Sequence, residues 1–164
     1  RLAIVGANGA GKTTFIKLLC RLYDPTEGEI LLNGINIKKY SYEEYIRLFS
    51  VVFQDYKIFF FSVAENVSAS PQFEEEKVIR SLKEAGLYER VSRMKDGIHT
   101  KLLKDQQEDG EEGLEISGGE KQKLALARAL YRGAPIVILD EPTSALATRA
   151  GPGLYWRVNK GGGG

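Results

Sequence analysis

The chain has one cysteine, one histidine, one methionine and one tryptophan in 164 residues, and no strong excess of either charge. A lone Cys20 cannot close an internal disulfide, so no covalent staple holds the fold. It lies in an apolar helical stretch beside Leu18, Leu19 and Leu22, where a thiol packs as a small apolar side chain rather than as a redox group. No run approaches the roughly 18 to 20 apolar residues needed to cross a bilayer, and no signal-peptide pattern is present. The chain therefore reads as soluble, in a reducing compartment. Lys and Arg number 23 against 22 Asp and Glu, a net charge of +1. Nothing in that balance gives an electrostatic grip on nucleic acid or an anionic membrane surface. The length suffices for one domain, or one core with an appended subdomain.

What the sequence does contain begins at residues 6–13, which read Gly6-Ala7-Asn8-Gly9-Ala10-Gly11-Lys12-Thr13. This G-x-x-x-x-G-K-T run follows an apolar stretch, residues 2–5, and precedes a helical pattern, the context a phosphate-binding loop requires. Glycines let backbone N–H groups close around an anion, and Lys12 adds a full positive charge. The helix starting near Lys12 points its dipole at the same anion, with Thr13 placed to hold Mg²⁺.

Further along, the helix is expected to reach about Leu22 and to bury Phe15, Ile16, Leu18, Leu19 and Leu22, with Pro25 and Gly28 as stops. Asn33-Gly34 between β-prone runs signals an antiparallel hairpin. Ser41-Tyr42-Glu43-Glu44 reads as a capping box for a short helix, and residues 50–54 as a buried strand. Residues 55–113 turn charge-rich and helical, with an amphipathic stretch through Val78, Ile79 and Leu82. Ser117-Gly118-Gly119-Glu120 is a second capping box, opening a helix to about Arg132. Residues 135–139 are a buried strand running into Asp140-Glu141. Strands alternating with helices imply an α/β fold with a mainly parallel sheet covered on both faces.

Asp140 then stands at the carboxyl edge of a parallel strand, where open α/β sheets bind ligands. A carboxylate there can hold Mg²⁺ beside Thr13, and Glu141 can polarise a water attacking a γ-phosphate. Taken together, residues 6–13, Gln54, Ser117-Gly118-Gly119-Glu120-Lys121-Gln122 and residues 136–141 resemble the nucleotide-binding domain of an ABC transporter ATPase. The resemblance covers about residues 1–146 and points to exporter-type members. It implies a P-loop NTPase core at 1–54 and 114–150, an antiparallel hairpin, and a helical subdomain at 55–113.

The resemblance also implies roles and partners. ATP and Mg²⁺ are the expected cofactors. Gly6, Asn8, Gly9, Ala10, Gly11, Lys12, Thr13 and Thr14 are assigned to the nucleotide, as are Ser117, Gly118, Gly119 and Glu120; of these last, Ser117, Gly118 and Gly119 meet the γ-phosphate held by Lys12 of a second such domain paired head to tail. Thr13, Gln54 and Asp140 are assigned to the metal, and Glu141, Gln54 and Lys12 to catalysis. Residues 54–61, from Gln54 to Phe61, fall where the family docks its transmembrane domain, although core packing of this aromatic run explains part of it equally well. The acidic segment 109–113 matches the family's X-loop or is a solvated loop, and His99 is an ordinary residue of the helical subdomain. The implied activity is ATP hydrolysis that powers transport, at the cytoplasmic face of the cell membrane, with no nucleic acid expected.

Three departures accompany the resemblance. The aromatic residue that stacks on adenine and the histidine switch have no counterpart here, and Ala147 stands where the family has an acid. Residues 151–164 match no family element and read as a disordered tail, so a piece truncated at both ends, with an open sheet edge, is expected. Two alternatives follow: an ATP-binding module without turnover, or a soluble ABC ATPase outside transport.

Overall fold

The computed structural model describes residues 2–4, 11–53, 57–102, 114–140 and 154–158, the first and last of these by backbone alone. Strand β1 (Leu2–Ile4) precedes helix α1 (Lys12–Leu19), and the hairpin of β2 (Leu31–Leu32) and β3 (Ile35–Asn36) follows. Both turn residues have positive φ, 52° at Asn33 and 77° at Gly34, as a tight turn matched to strand twist needs. Then come α2 (Tyr42–Ile46), β4 (Phe49–Val52), α3 (Val63–Ser68), α4 (Glu75–Ala85) and α5 (Tyr88–Val91). The long α6 (Gly118–Arg132), β5 (Ile136–Leu139) and β6 (Leu154–Val158) complete the order.

The main sheet runs β1-β6-β5-β4. β4 and β5 pair in parallel, Phe49 opposite Ile136 and Val52 opposite Leu139. β6 is antiparallel to both β1 and β5, so β1, β5 and β4 share one direction and β6 opposes them. The expected tail differs here: Leu154–Val158 fill the sheet between β1 and β5. The segment Leu-Tyr-Trp-Arg-Val is rich in aromatic and β-branched residues, which suit a pleated surface, and the surrounding glycines obscured it.

Because strand side chains alternate, β5 serves two layers. Ile138 packs with Ile16, Cys20, Tyr45 and Phe49 on the α1 side. Val137 and Leu139 pack with Val52, Ala125 and Ala129 on the α6 side. A third cluster lies within the helical block, where Val63, Val67, Val78, Leu82, Val91 and Leu124 are almost fully buried. Each such side chain contributes about 1.5–3 kcal/mol through removal from water.

Two local expectations are corrected. α1 stops at Leu19 because Arg21 adopts a left-handed backbone, φ 56°, so Leu22 leaves the core stripe and is 48% exposed. Ile16 and Cys20, one turn apart, face the core, while Phe15 lies off that stripe and is 45% exposed. Ser41 precedes α2 but makes no side-chain capping bond; the boxes that close are Ser62 with Glu65 and Ser117 with Glu120. Among the described residues, no helix is long and apolar enough to cross a membrane.

Candidate functional site

The chemistry gathers where β5 ends against α1. Gly11 sits at the N-cap of α1 with φ 83°, a left-handed conformation that costs a residue with a Cβ about 1–2 kcal/mol. From that turn the helix begins at Lys12, so Lys12, Thr13 and Thr14 occupy the first turn at the positive end of its dipole. The Thr13 hydroxyl donates to Asp140 Oδ2 at 2.7 Å, although the two residues are 127 apart in sequence. The Asp140 N–H in turn donates to the Val52 carbonyl at 2.9 Å. Two hydrogen bonds of one residue thus tie the loop's helix, the end of β5 and the end of β4 together.

Asp140 is only 4% exposed, and its second oxygen, Oδ1, has no hydrogen-bond partner among the described residues. A buried carboxylate oxygen left unpaired costs about 1–3 kcal/mol, which a positively charged group beside it would offset. The donors present, a hydroxyl and a carboxylate, are hard oxygen ligands. They fit Mg²⁺, which takes one or two protein oxygens and fills its other positions with water and phosphate. Among the described residues no cluster of three His, Cys, Asp or Glu is placed to hold a metal.

The second assigned group lies at the start of α6. Ser117 is its N-cap: the Ser117 Oγ accepts the Glu120 N–H at 3.3 Å, and Glu120 Oε2 accepts the Ser117 N–H at 2.8 Å. Glu120 Oε1 also accepts from Arg90 Nε at 3.0 Å. Burial raises the Glu120 carboxyl, but the Ser117 N–H and hydroxyl and the Arg90 guanidinium outweigh it and hold it below the usual range. Ser117 and Gly118 are exposed. A Cβ built on Gly118 meets nothing within 4 Å, and its φ is not in the left-handed region, so packing among the described residues does not demand glycine there.

Gly6, Asn8, Gly9, Ala10, Gln54 and Glu141 lie outside the described residues, as do Tyr56 and the acidic segment 109–113. Of the aromatic run, Ile58 is buried in the helical cluster, whereas Phe59 and Phe61 are 47% and 54% exposed with their rings 6.2 Å apart. His99 ends a 3₁₀ turn, Gly97–His99, and lies 3.4 Å from Glu75.

Spacing gave no notice of the network that holds this aromatic segment. Asn66 on α3 is 1% exposed. Its Nδ2 donates to the carbonyls of Phe59 and Ser62 at 2.9 and 3.1 Å, and its Oδ1 accepts the Phe59 N–H at 3.0 Å. Arg128 of α6 donates from Nε to the Asn66 carbonyl at 2.7 Å and from Nη1 to the Lys57 carbonyl at 3.2 Å, while its guanidinium lies 5.4 Å from the Phe59 ring centroid. Burial pulls this guanidinium below its ordinary pKa. The only sequence signal was a polar side chain in a short helix amid apolar neighbours. A cleft of about 540 Å³ opens beside Arg128, lined also by Ser50, Ala69, Lys77 and Arg132.

The family described as ABC transporter matches residues 1–144. The ATP-dependent lipid A-core flippase of Burkholderia pseudomallei is 40% identical over 145 residues, covering 88% of this chain and 23% of the flippase. The flippase of the same description from Pasteurella multocida is 38% identical over 161 residues, 97% of this chain and 26% of its own length. A solved structure, that of a bacterial Atm1-family ABC exporter with ATP bound, superposes with a TM-score of 0.77 at 36% identity, covering 91% of this chain and 25% of that one. The chain thus spans about a quarter of the length of these relatives. With the family match running from the first residue past Asp140, and with the P-loop NTPase fold in place around Thr13 and Asp140, the chain belongs to the ABC transporter family.

Proposed function

We propose that this chain is the ATP-binding and ATP-hydrolysing part of a membrane exporter, working as one half of a head-to-tail pair at the cytoplasmic face of the membrane. The observation that carries this reading is the Thr13–Asp140 hydrogen bond beside a buried carboxylate oxygen that has no partner among the described residues. It supports placing the Mg²⁺-linked phosphates of ATP between the first turn of α1 and the end of β5. Bound Mg²⁺ neutralises charge developing on the phosphate oxygens. In this reading Gly6, Asn8, Gly9, Ala10 and Gly11 supply backbone donors, and Lys12 a full charge. Gln54 and Glu141 orient and polarise the attacking water.

Half of such a site has to come from a second chain. The exposed Ser117-Gly118 end of α6, with open space where a Cβ would stand on Gly118, suits close approach to a phosphate that another domain holds. ATP shared across that interface stabilises the pair by mass action. Phe59 and Phe61, with the adjacent cleft, offer an apolar surface edged by Lys77, Arg128 and Arg132. Such a patch suits a transmembrane partner's cytoplasmic segment. Ala147, where the resemblance places an acid, favours the second reading, a module that binds ATP without turnover.

Single-turnover release of the γ-phosphate, with and without Glu141→Gln, separates the two. The enzyme reading expects both forms to bind nucleotide and only the unaltered chain to hydrolyse it. If both bind and neither hydrolyses, the non-turnover reading stands.

A further inference from the structure

The N-terminus of α6 carries a full negative charge close to where its proposed ligand is an anion. Glu120 is the acidic residue of the first turn, and its carboxylate is folded back toward Ser117. A carboxylate there stabilises the helix through the dipole, yet it competes with a phosphate for the same field. Arg90, from α5, reaches across to Glu120 Oε1 at 3.0 Å.

The equivalent box on α3 shows that Arg90 is not required for capping. Glu65 accepts the Ser62 N–H at 2.8 Å and the Ser62 hydroxyl at 2.6 Å, with no ion pair to Glu65 among the described residues. Nor does the Arg90 pair do much for the fold. The Arg90 and Glu120 side chains are 46% and 23% exposed, and ion pairs at that exposure are worth about 0–1 kcal/mol. The remaining consequence of Arg90 is electrostatic and local to the start of α6.

We propose that Arg90 is a positioning residue for nucleotide-driven pairing: it neutralises Glu120 and keeps that carboxylate turned back onto Ser117, so an incoming γ-phosphate meets oriented N–H groups without a net negative charge beside them. This rests on the composite-site reading above. It also joins α5 to the phosphate-facing end of α6, so a shift of the helical block changes the charge that the phosphate meets.

The test is a double-mutant cycle on the full 164-residue chain carrying Glu141→Gln, with Arg90→Ala, Glu120→Gln and the pair, titrated with MgATP and followed by sedimentation velocity. Gln at 120 keeps the capping box, since its carbonyl still accepts the Ser117 N–H, but removes the charge. Arg90→Ala alone raises the ATP concentration for half-maximal dimer about fivefold, the effect of one charge about 4 Å from the phosphate when solvent screens the pair as bulk water does. In the Glu120→Gln background the same substitution changes it less than about twofold, and Arg90→Lys restores most of the loss. Thermal midpoints of all variants are read alongside to confirm that each is folded. An equal shift in both backgrounds, or none in either, overturns the role of Arg90 while leaving the composite site standing. A parent chain that forms no ATP-dependent dimer overturns the composite site, and this proposal with it.

Discussion

Replacing Asp140 with Asn separates the stability of the bare fold from its affinity for a cation. Asp140 is buried, with Oδ2 accepting from Thr13 at 2.7 Å and Oδ1 unpartnered among the described residues. Asn retains an acceptor for the Thr13 hydroxyl and removes a buried charge whose desolvation the single hydrogen bond offsets only in part. The nucleotide-free variant is therefore expected to match the parent or exceed it by about 1 kcal/mol, a rise in midpoint of about 0–4 °C for a domain of this size. With MgATP at about 100 times its Kd, the parent gains about 2.7 kcal/mol, or about 5–10 °C. The variant lacks the charge proposed to face the cation, and less than about 2 °C of that gain is expected to remain. Thermal unfolding without ligand, with Mg²⁺ alone, with ATP and EDTA, and with MgATP gives all four comparisons. An Asn variant that loses more than about 5 °C without ligand, yet keeps the full Mg²⁺-dependent gain, would refute this reasoning, because Asp140 would then be a structural residue only.

Other predictions follow from the packing. Asn66→Ala removes bonds to Phe59, Ser62 and Arg128 at once and leaves buried groups unpaired, so urea unfolding is expected to show a loss of about 3 kcal/mol; a loss under about 1 kcal/mol would mean the network is replaced by water. The Ser62 hydroxyl and N–H hold Glu65 below the usual carboxyl range, and Glu120 is held low as well. Their contributions are complete above about pH 4.5 and fade as pH falls through the lowered folded-state values. Stability should decline with acidification below that point, less so in the Glu65→Gln/Glu120→Gln variant, and an unchanged acid limb would contradict it. Burial raises the Cys20 thiol to about 11, so a thiol reagent at neutral pH should label it only at the rate of unfolding; rapid labelling of the folded chain would place it outside the core.

Local chemistry was legible where one short segment decides the outcome. The glycine that opens α1, the Asn33-Gly34 turn, the Ser117 box and the apolar run of β5 each carry their own signal, and each lies where the spacing places it. The site's central contact was legible as two ends, a loop threonine and a strand-end aspartate, that a parallel sheet brings together. What escaped depended on tertiary partners. Nothing in the sequence places Arg128 beside Asn66, 62 residues away, or Arg90 beside Glu120, 30 away. The exposure of Leu22 turned on a single left-handed residue, Arg21, which periodicity does not register, and that of Phe15 on which stripe of α1 meets the core. Ser62-Val63-Ala64-Glu65 did carry a capping signature, hidden inside a stretch read for its aromatic residues.

The central claim is that the first turn of α1 and the end of β5 form one Mg²⁺-dependent nucleotide site. Equilibrium titration of the chain with ATP, with and without Mg²⁺, beside the Lys12→Ala variant, tests it most directly. Binding that needs Mg²⁺ and weakens by at least about tenfold in the variant, as loss of a desolvated charge contact requires, is the predicted result. Undiminished binding by Lys12→Ala, or no binding by the unaltered chain, would contradict the account.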